Sequence, residues 1–127
     1  MTTSPTVVDT TPIADSDEVF ELAAELFRVM SAPMRLRIIS SLCHGEKNVG
    51  ELLRDIHTTQ PNMSQHLSTL YRAGVLGKRR DSTQIYYRLE SERVATLCRA
   101  VCTQVALEID GDTELPSTDR LLPLGVR

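Results

Sequence analysis

Three cysteines, Cys43, Cys98 and Cys102, carry the most reactive side chains of this 127-residue chain. Cys98 and Cys102 are four residues apart, so in a helix they lie on neighbouring parts of one face. Cys43 is followed directly by His44. Thiolates bind soft ions such as zinc or arsenite, and they also react with oxidants. The cysteines therefore suggest three alternatives: a metal site, a thiol sensor, or small buried hydrophobic residues.

A catalytic role for Cys43 and His44 is disfavoured by their spacing. Adjacent residues on a helix point about 100° apart, and the chain has no Gly-rich phosphate loop or cofactor motif beside them. We therefore predict that the protein is not an enzyme, that it has no catalytic residues, and that it needs no cofactor.

A second candidate site is a run of short polar side chains in the segment 60–69. Met63, Leu67 and Leu70 recur at the spacing of a buried helix face, which leaves the polar residues for the opposite face. Amide side chains can bond bidentately to adenine in the major groove of DNA, and hydroxyls can bond to bases or phosphates. The candidates for DNA contact on this helix are Gln60, Asn62, Ser64, Gln65, His66, Ser68 and Thr69.

Charge is distributed unevenly along the chain, although the net charge is only −3. Residues 1–27 contain six acidic residues and no basic ones, whereas residues 61–89 contain five basic residues and one acid. Such asymmetry is typical of a patch that faces a polyanion. Lys78, Arg79 and Arg80 form its densest part and are the candidates for contacts with the DNA backbone.

Hydrophobic periodicity and turn signals predict five helices and one β-hairpin. The predicted helices begin near Ser16, Pro33, Val49, Gln60 and Ser91. Gly74 is predicted to end the fourth helix in a left-handed conformation. The predicted strands are residues 75–80 and 84–89, and residues 46–48 are predicted to be a polar loop.

The short third helix and the polar fourth helix, joined by a three-residue turn, form a helix-turn-helix, and the hairpin makes it winged. We predict a mainly α fold with a small β-hairpin, a winged helix-turn-helix domain over residues 16–110. Residues 1–15 are predicted to be a flexible tail and residues 111–127 a loose tail. Because there is no signal peptide and no apolar run of about 18 residues, we expect a cytoplasmic protein with no membrane partner.

Several stretches match one family pattern: Met34-Arg35-Leu36-Arg37-Ile38, Gly45-Glu46-x-x-Val49-Gly50-Glu51-Leu52, Pro61-x-x-Ser64-x-His66-Leu67-x-x-Leu70-x-x-Ala73-Gly74, Lys78-Arg79-Arg80 and Ile85-Tyr86-Tyr87-Arg88-Leu89. Together they resemble the ArsR/SmtB family of winged-helix repressors, over roughly residues 19–109. The resemblance implies a homodimer whose interface is formed by the first and last helices. It also implies binding to double-stranded operator DNA and release by a small inducer.

The metal sites of similar family members do not transfer to this chain. Arsenic and cadmium sensors carry a cysteine pair in the segment that here reads Val49–Leu53, which contains no cysteine. Zinc sensors use Asp and His on the last helix, where this chain has no His between Ser91 and Asp110. We therefore predict no metal ligand from either pattern.

The resemblance is closest to a branch that senses persulfides and other oxidants through one cysteine on the second helix and one on the last. In an ungapped alignment those positions fall on Ser40 and Ala106, so Cys43 lies three residues later and Cys102 four residues earlier. If the two helices pack antiparallel, both shifts move the pair together by one turn, so Cys43 and Cys102 could still pair.

We therefore predict that an oxidant or reactive sulfur species is the inducer and acts on Cys43 and Cys102. Cys98 is a less favoured sensor, because its spacing places it with core residues. Two alternatives stay open: a metal or metalloid bound by the same cysteines, and a winged-helix regulator without cysteine-based sensing.

Overall fold

A computed structural model describes residues 16–111 and contains, within that range, five helices and three short strands. The elements in chain order are α1 (Asp17–Met30), α2 (Pro33–Leu42), β1 (Lys47–Asn48), α3 (Val49–Asp55), α4 (Gln60–Arg72), β2 (Leu76–Asp81), β3 (Gln84–Leu89) and α5 (Glu92–Asp110). The predicted tails lie outside the described residues, except for Gly111, which caps α5. No helix of the described range is long and apolar enough to cross a membrane.

Four of the five helices in this range begin at a side chain that accepts a bond from a free backbone N–H. The hydroxyls of Ser16, Thr59 and Ser91 each accept from the backbone N–H three residues later, at 3.2 Å. Asn48 and Glu51 form a reciprocal capping box at the start of α3. These caps confirm the helix starts predicted near Ser16, Gln60 and Ser91.

The sheet contains a strand that sequence periodicity did not predict. β2 and β3 pair antiparallel, which confirms the hairpin, although β2 lies one residue later than predicted. Lys47 and Asn48, predicted as loop, form β1 and pair with Tyr87 and Tyr86 of β3. That prediction was wrong because a two-residue strand has no periodicity of its own and forms only where tertiary structure supplies an edge.

The core lies between α2, α3, α4 and the start of α5. Its fully buried side chains are Ile38, Ile39, Leu52, Met63, Leu67, Leu70 and Val94. The predicted apolar face of α4 is confirmed, since all three of its members are completely buried. Gly74 ends this helix with a φ of 82°, as predicted. Burial of the apolar face turns the polar face of α4 outward.

The apolar faces of α1 and α5 are largely uncovered in a single chain. Val94 and Cys98 are the buried residues of α5, and both lie in its first half. The exposed large apolar side chains of these two helices are Phe20, Leu22, Phe27, Val101, Val105, Leu107 and Ile109. Apolar surface of this extent on two helices of one small domain is typical of an interface with another protein surface.

We predict that Leu67→Ala lowers the free energy of unfolding by about 2–5 kcal/mol, because it leaves a cavity in the core. Urea denaturation of the parent and the variant at one protein concentration measures the difference. Ser68→Ala is the matched control, since Ser68 is the next residue of α4 and is exposed. A loss below 1 kcal/mol in Leu67→Ala would contradict the central position of this side chain.

Candidate functional site

The first three turns of the outward face of α4 carry four exposed polar side chains. Gln60, Ser64, Gln65 and Ser68 follow one another along this face, and within residues 16–111 no hydrogen bond engages their side chains. The helix contains no acidic residue, and the free N–H groups of its first turn carry partial positive charge. This face therefore combines adaptable donors and acceptors with an electrostatic preference for anions.

Two other candidates on α4 form hydrogen bonds within the domain. The Asn62 amide donates to the Thr58 hydroxyl at 2.8 Å, and the Thr69 hydroxyl donates to the Gln65 carbonyl at 3.1 Å. Both side chains are half-buried. Their polar atoms support the turn and the helix, so they are less available to an external ligand than the four exposed side chains.

His66 is held by an arginine from α2. Arg35 donates through Nε to the Val29 carbonyl at 2.6 Å, and its Nη1 lies 3.3 Å from His66 Nδ1. Burial, and then the positive charge of Arg35, lower the pKa of His66 below its usual value of 6.5. His66 is therefore neutral at neutral pH, and Arg35 joins the end of α1 to α4.

The three basic residues of β2 lie on two different faces of the sheet. Lys78 lies with its Nζ 4.3 Å from the centre of the Tyr71 ring on α4. Strand alternation puts Arg80 on the same face as Lys78 and Arg79 on the other. Lys78 and Arg80 therefore share the face of the sheet that contacts α4 through Lys78. The separation of Arg79 from the other two basic residues could have been predicted from the alternation of side chains along a strand.

Arg79 is engaged by a carboxylate that periodicity did not single out. Its Nε and Nη2 donate to the two carboxylate oxygens of Glu46 at 2.9 and 2.8 Å. The guanidinium also lies over the Tyr86 ring, 4.7 Å from its centre. The bond from Arg79 lowers the pKa of Glu46, so the pair stays charged at neutral pH.

The three cysteines meet at one groove between α2 and α5. Cys43 follows α2, and Cys98 and Cys102 lie on α5; all three line the groove, together with His44 and Arg99. The Cys98 and Cys102 sulfurs are 3.9 Å apart. Cys43 and Cys102 are exposed, whereas Cys98 is buried. The packing of α2 against α5 thus brings together residues that are more than 50 positions apart in sequence.

Cys98 has the chemical environment of a core thiol. Burial first, and then the hydrogen bond and charge of Cys102, raise the pKa of Cys98 to about 11. Its sulfur lies 3.8 Å from the Leu36 carbonyl, to which the protonated thiol donates. Since the thiolate is the reactive form, Cys98 is a slow nucleophile at neutral pH.

The described part of the chain contains no preformed set of metal ligands. Within residues 16–111 no group of three or more His, Cys, Asp or Glu side chains is placed to hold a metal ion. The three cysteines share a groove, but they do not converge on one point as a tetrahedral thiolate site requires.

We predict that iodoacetamide modifies Cys43 and Cys102 of the native protein at pH 7.5 while Cys98 stays unmodified. Exposure favours the first two, and the raised pKa and burial protect the third. Mass spectrometry of the alkylated protein measures the extent at each site, and a urea-unfolded sample is the control in which all three react. Alkylation of native Cys98 as fast as Cys102 would contradict this assignment.

Comparison with known proteins agrees with this geometry. The family model described as "Bacterial regulatory protein, arsR family" matches residues 32–78, which run from the start of α2 into β2. A biofilm growth-associated repressor from Xylella fastidiosa is 40% identical over 85 residues, which cover 64% of this chain and 75% of that protein.

Solved structures give the same result. The transcriptional repressor BigR from Xylella fastidiosa matches with a TM-score of 0.66 and 37% identity, covering 68% of this chain and 89% of that one. Rv0081 from Mycobacterium tuberculosis matches with a TM-score of 0.64 and 35% identity, covering 79% of this chain and all of that one. Repressors of the ArsR family are not enzymes; they bind operator DNA and act as dimers. The fold and these similarities show that this chain belongs to the ArsR family of winged helix-turn-helix transcriptional repressors.

Proposed function

We propose that this repressor is released from its operator when an oxidant or a reactive sulfur species links Cys43 to Cys102. The observation that carries this proposal is the meeting of three thiols at the groove between α2 and α5. Two of these thiols are exposed, and they lie on different helices. The reaction takes place in the cytoplasm, where the operator lies and where thiols are otherwise kept reduced.

Operator sequence is read by the exposed face of α4. Gln60, Ser64, Gln65 and Ser68 project outward from a helix without acidic residues. A glutamine can bond bidentately to adenine, and a serine can bond to a base edge or a phosphate. The half-buried Asn62, His66 and Thr69 orient the helix and its neighbours rather than reading bases.

Lys78 and Arg80 contact the DNA backbone beside this face. They lie on the face of the wing that is turned toward α4, as the contact between Lys78 and Tyr71 indicates. Phosphate contacts position a protein on DNA without specifying sequence. The long, flexible side chains of Lys78 and Arg80 can make such contacts.

The dimer is built on α1 and α5 of a single domain over residues 16–110. Both helices expose large apolar side chains that one chain leaves uncovered, and a two-fold axis allows the same surface to cover itself. Two copies then present two α4 helices to half-sites one or more helical turns apart on the DNA.

The proposed chemistry uses the two exposed thiols in sequence. The Cys102 thiolate attacks the sulfane sulfur of an organic persulfide, which forms a Cys102 persulfide and releases the thiol of the donor. The Cys43 thiolate then attacks the sulfur that is bonded to Cys102, forms a disulfide and expels hydrogen sulfide. With peroxide the intermediate is a sulfenic acid and water leaves instead.

Only a link to Cys43 joins the two helices. A bond between Cys98 and Cys102 would stay within α5, whereas a bond from Cys43 ties α5 to the end of α2. Arg35 of the same α2 contacts His66 of α4, so a displaced α2 acts on the reading helix. To lower operator occupancy a hundredfold, the link must favour the free conformation by about 2.7 kcal/mol.

We predict that Gln65→Ala loses about 1–3 kcal/mol of binding free energy at one base pair of the operator and relaxes the preference there. The operator is first selected from random duplexes, and single-base variants of it are then titrated with both proteins. Thr69→Ala, on the same helix but bonded to its own backbone, is the control. Equal loss on every duplex would contradict a reading role for Gln65.

We predict that a persulfide donor or peroxide releases the parent protein from its operator and that Cys43→Ser and Cys102→Ser variants stay bound. Each variant removes one end of the proposed link, whereas Cys98→Ser leaves both ends and is the control. Fluorescence anisotropy measures release, and mass spectrometry maps the bond.

Release of the two variants as readily as the parent would overturn the thiol switch. If zinc or arsenite then released the parent and not the cysteine variants, a metal or metalloid would be the inducer. If no thiol reagent and no metal acted, the protein would be a regulator without cysteine-based sensing.

A further inference from the structure

The outward face of the sheet, opposite to Lys78 and Arg80, carries two arginines that are each paired with a glutamate. Arg79 is bound by Glu46 through two hydrogen bonds, and Arg88 lies 2.7 Å from Glu90. Half of the basic residues in this hairpin are therefore neutralised by carboxylates of the same domain. The formal charge of the segment overstates the positive charge that the wing offers to DNA.

The contact between Glu46 and Arg79 crosses a whole strand. Glu46 directly precedes β1, Arg79 lies on β2, and β3 separates the two. The guanidinium passes over Tyr86, which is the residue of β3 directly opposite Arg79. Tyr86 thus contacts the face of the guanidinium, while Glu46 accepts the hydrogen bonds of its Nε and Nη2 edge.

We propose that Glu46 limits the sequence-independent affinity of the wing for DNA, because its carboxylate competes with backbone phosphate for Arg79. The two parallel bonds occupy the same edge of the guanidinium that binds phosphate bidentately. Asp81 lies 3.7 Å from Nη1 of Arg79, whereas Glu46 occupies the edge formed by Nε and Nη2. About half of the Arg79 side chain is exposed, at 47%, so a phosphate could reach the Nε and Nη2 edge once the Glu46 carboxylate is removed. This role rests on the proposed contact of the wing with DNA.

Masking one arginine changes the sequence-independent part of binding. Each phosphate contact strengthens binding to every DNA sequence, operator and unrelated DNA alike. Holding Arg79 away from phosphate therefore lowers the affinity for both kinds of DNA and the salt dependence of both, and it leaves base reading by α4 intact.

The test is the salt dependence of binding by Glu46→Gln, which keeps the shape of the side chain and removes its charge. On a 30-base-pair duplex of unrelated sequence, the slope of log K against log salt should steepen by about 0.9, one added phosphate contact. That change corresponds to about an eightfold gain in affinity for each tenfold dilution of salt. The preference of the protein for its selected operator over the unrelated duplex should stay unchanged, because the added contact strengthens binding to both.

Glu25→Gln is the matched control. Glu25 is also an exposed glutamate paired with an arginine, Arg28, but the pair lies on α1. Both variants change the net charge equally, so a general effect of charge would alter both slopes by the same amount. The proposal requires the steeper slope in Glu46→Gln alone.

A double-mutant cycle identifies the partner. In an Arg79→Ala background, Glu46→Gln should leave the slope unchanged, because the side chain that it releases is absent. A slope that is unchanged in Glu46→Gln alone, or that steepens equally with and without Arg79, would overturn the role of Glu46. Parent protein that binds neither duplex in a salt-dependent way would instead overturn the proposed contact of the wing with DNA.

Discussion

The burial of α2 at the centre of the domain sets the positions of the helices and the strand that pack against it. Ile38 and Ile39 are completely buried, and the helix packs against α4, α5 and β3. Two buried branched side chains in adjacent positions fix both the depth and the rotation of a helix. The position of α2 therefore sets the positions of α4, of β3 and of the cysteine groove between α2 and α5.

The two ends of α2 serve different surfaces. Near its beginning, Arg35 bonds to the Val29 carbonyl and contacts His66, so it joins α1 to the reading helix. Just after its end, Cys43 faces the groove that it shares with Cys102. A rigid helix that borders the thiol groove at one end and contacts α4 at the other is suited to carry a displacement between them, because well-packed elements move as units rather than deform.

The positive charge that the wing offers to DNA depends on ion pairing as well as on the number of basic residues in the hairpin. Arg79 and Arg88 are matched by Glu46 and Glu90, while Lys78 lies against the Tyr71 ring. Exposed ion pairs of this kind add little to stability, so their main physical effect is on what the surface can still bind. The same contacts that neutralise one face of the sheet leave the positive charge of the hairpin on the face beside α4.

Elements whose signals are local can be predicted from the sequence alone. The following features could all be predicted, because each depends on residues within one or two turns of each other: the buried face of α4, the helix starts near Ser16, Gln60 and Ser91, the left-handed Gly74 and the hairpin. The family pattern was also readable, because it is carried by these same local features. Tertiary packing was needed for residues 47–48 to form a strand, for Glu46 to bind Arg79 and for Arg35 to hold His66. The burial of Cys98, by contrast, was expected from its spacing. The strand, the ion pair and the contact with His66 depend on groups that packing brings together, and a linear pattern does not contain the distances between those groups.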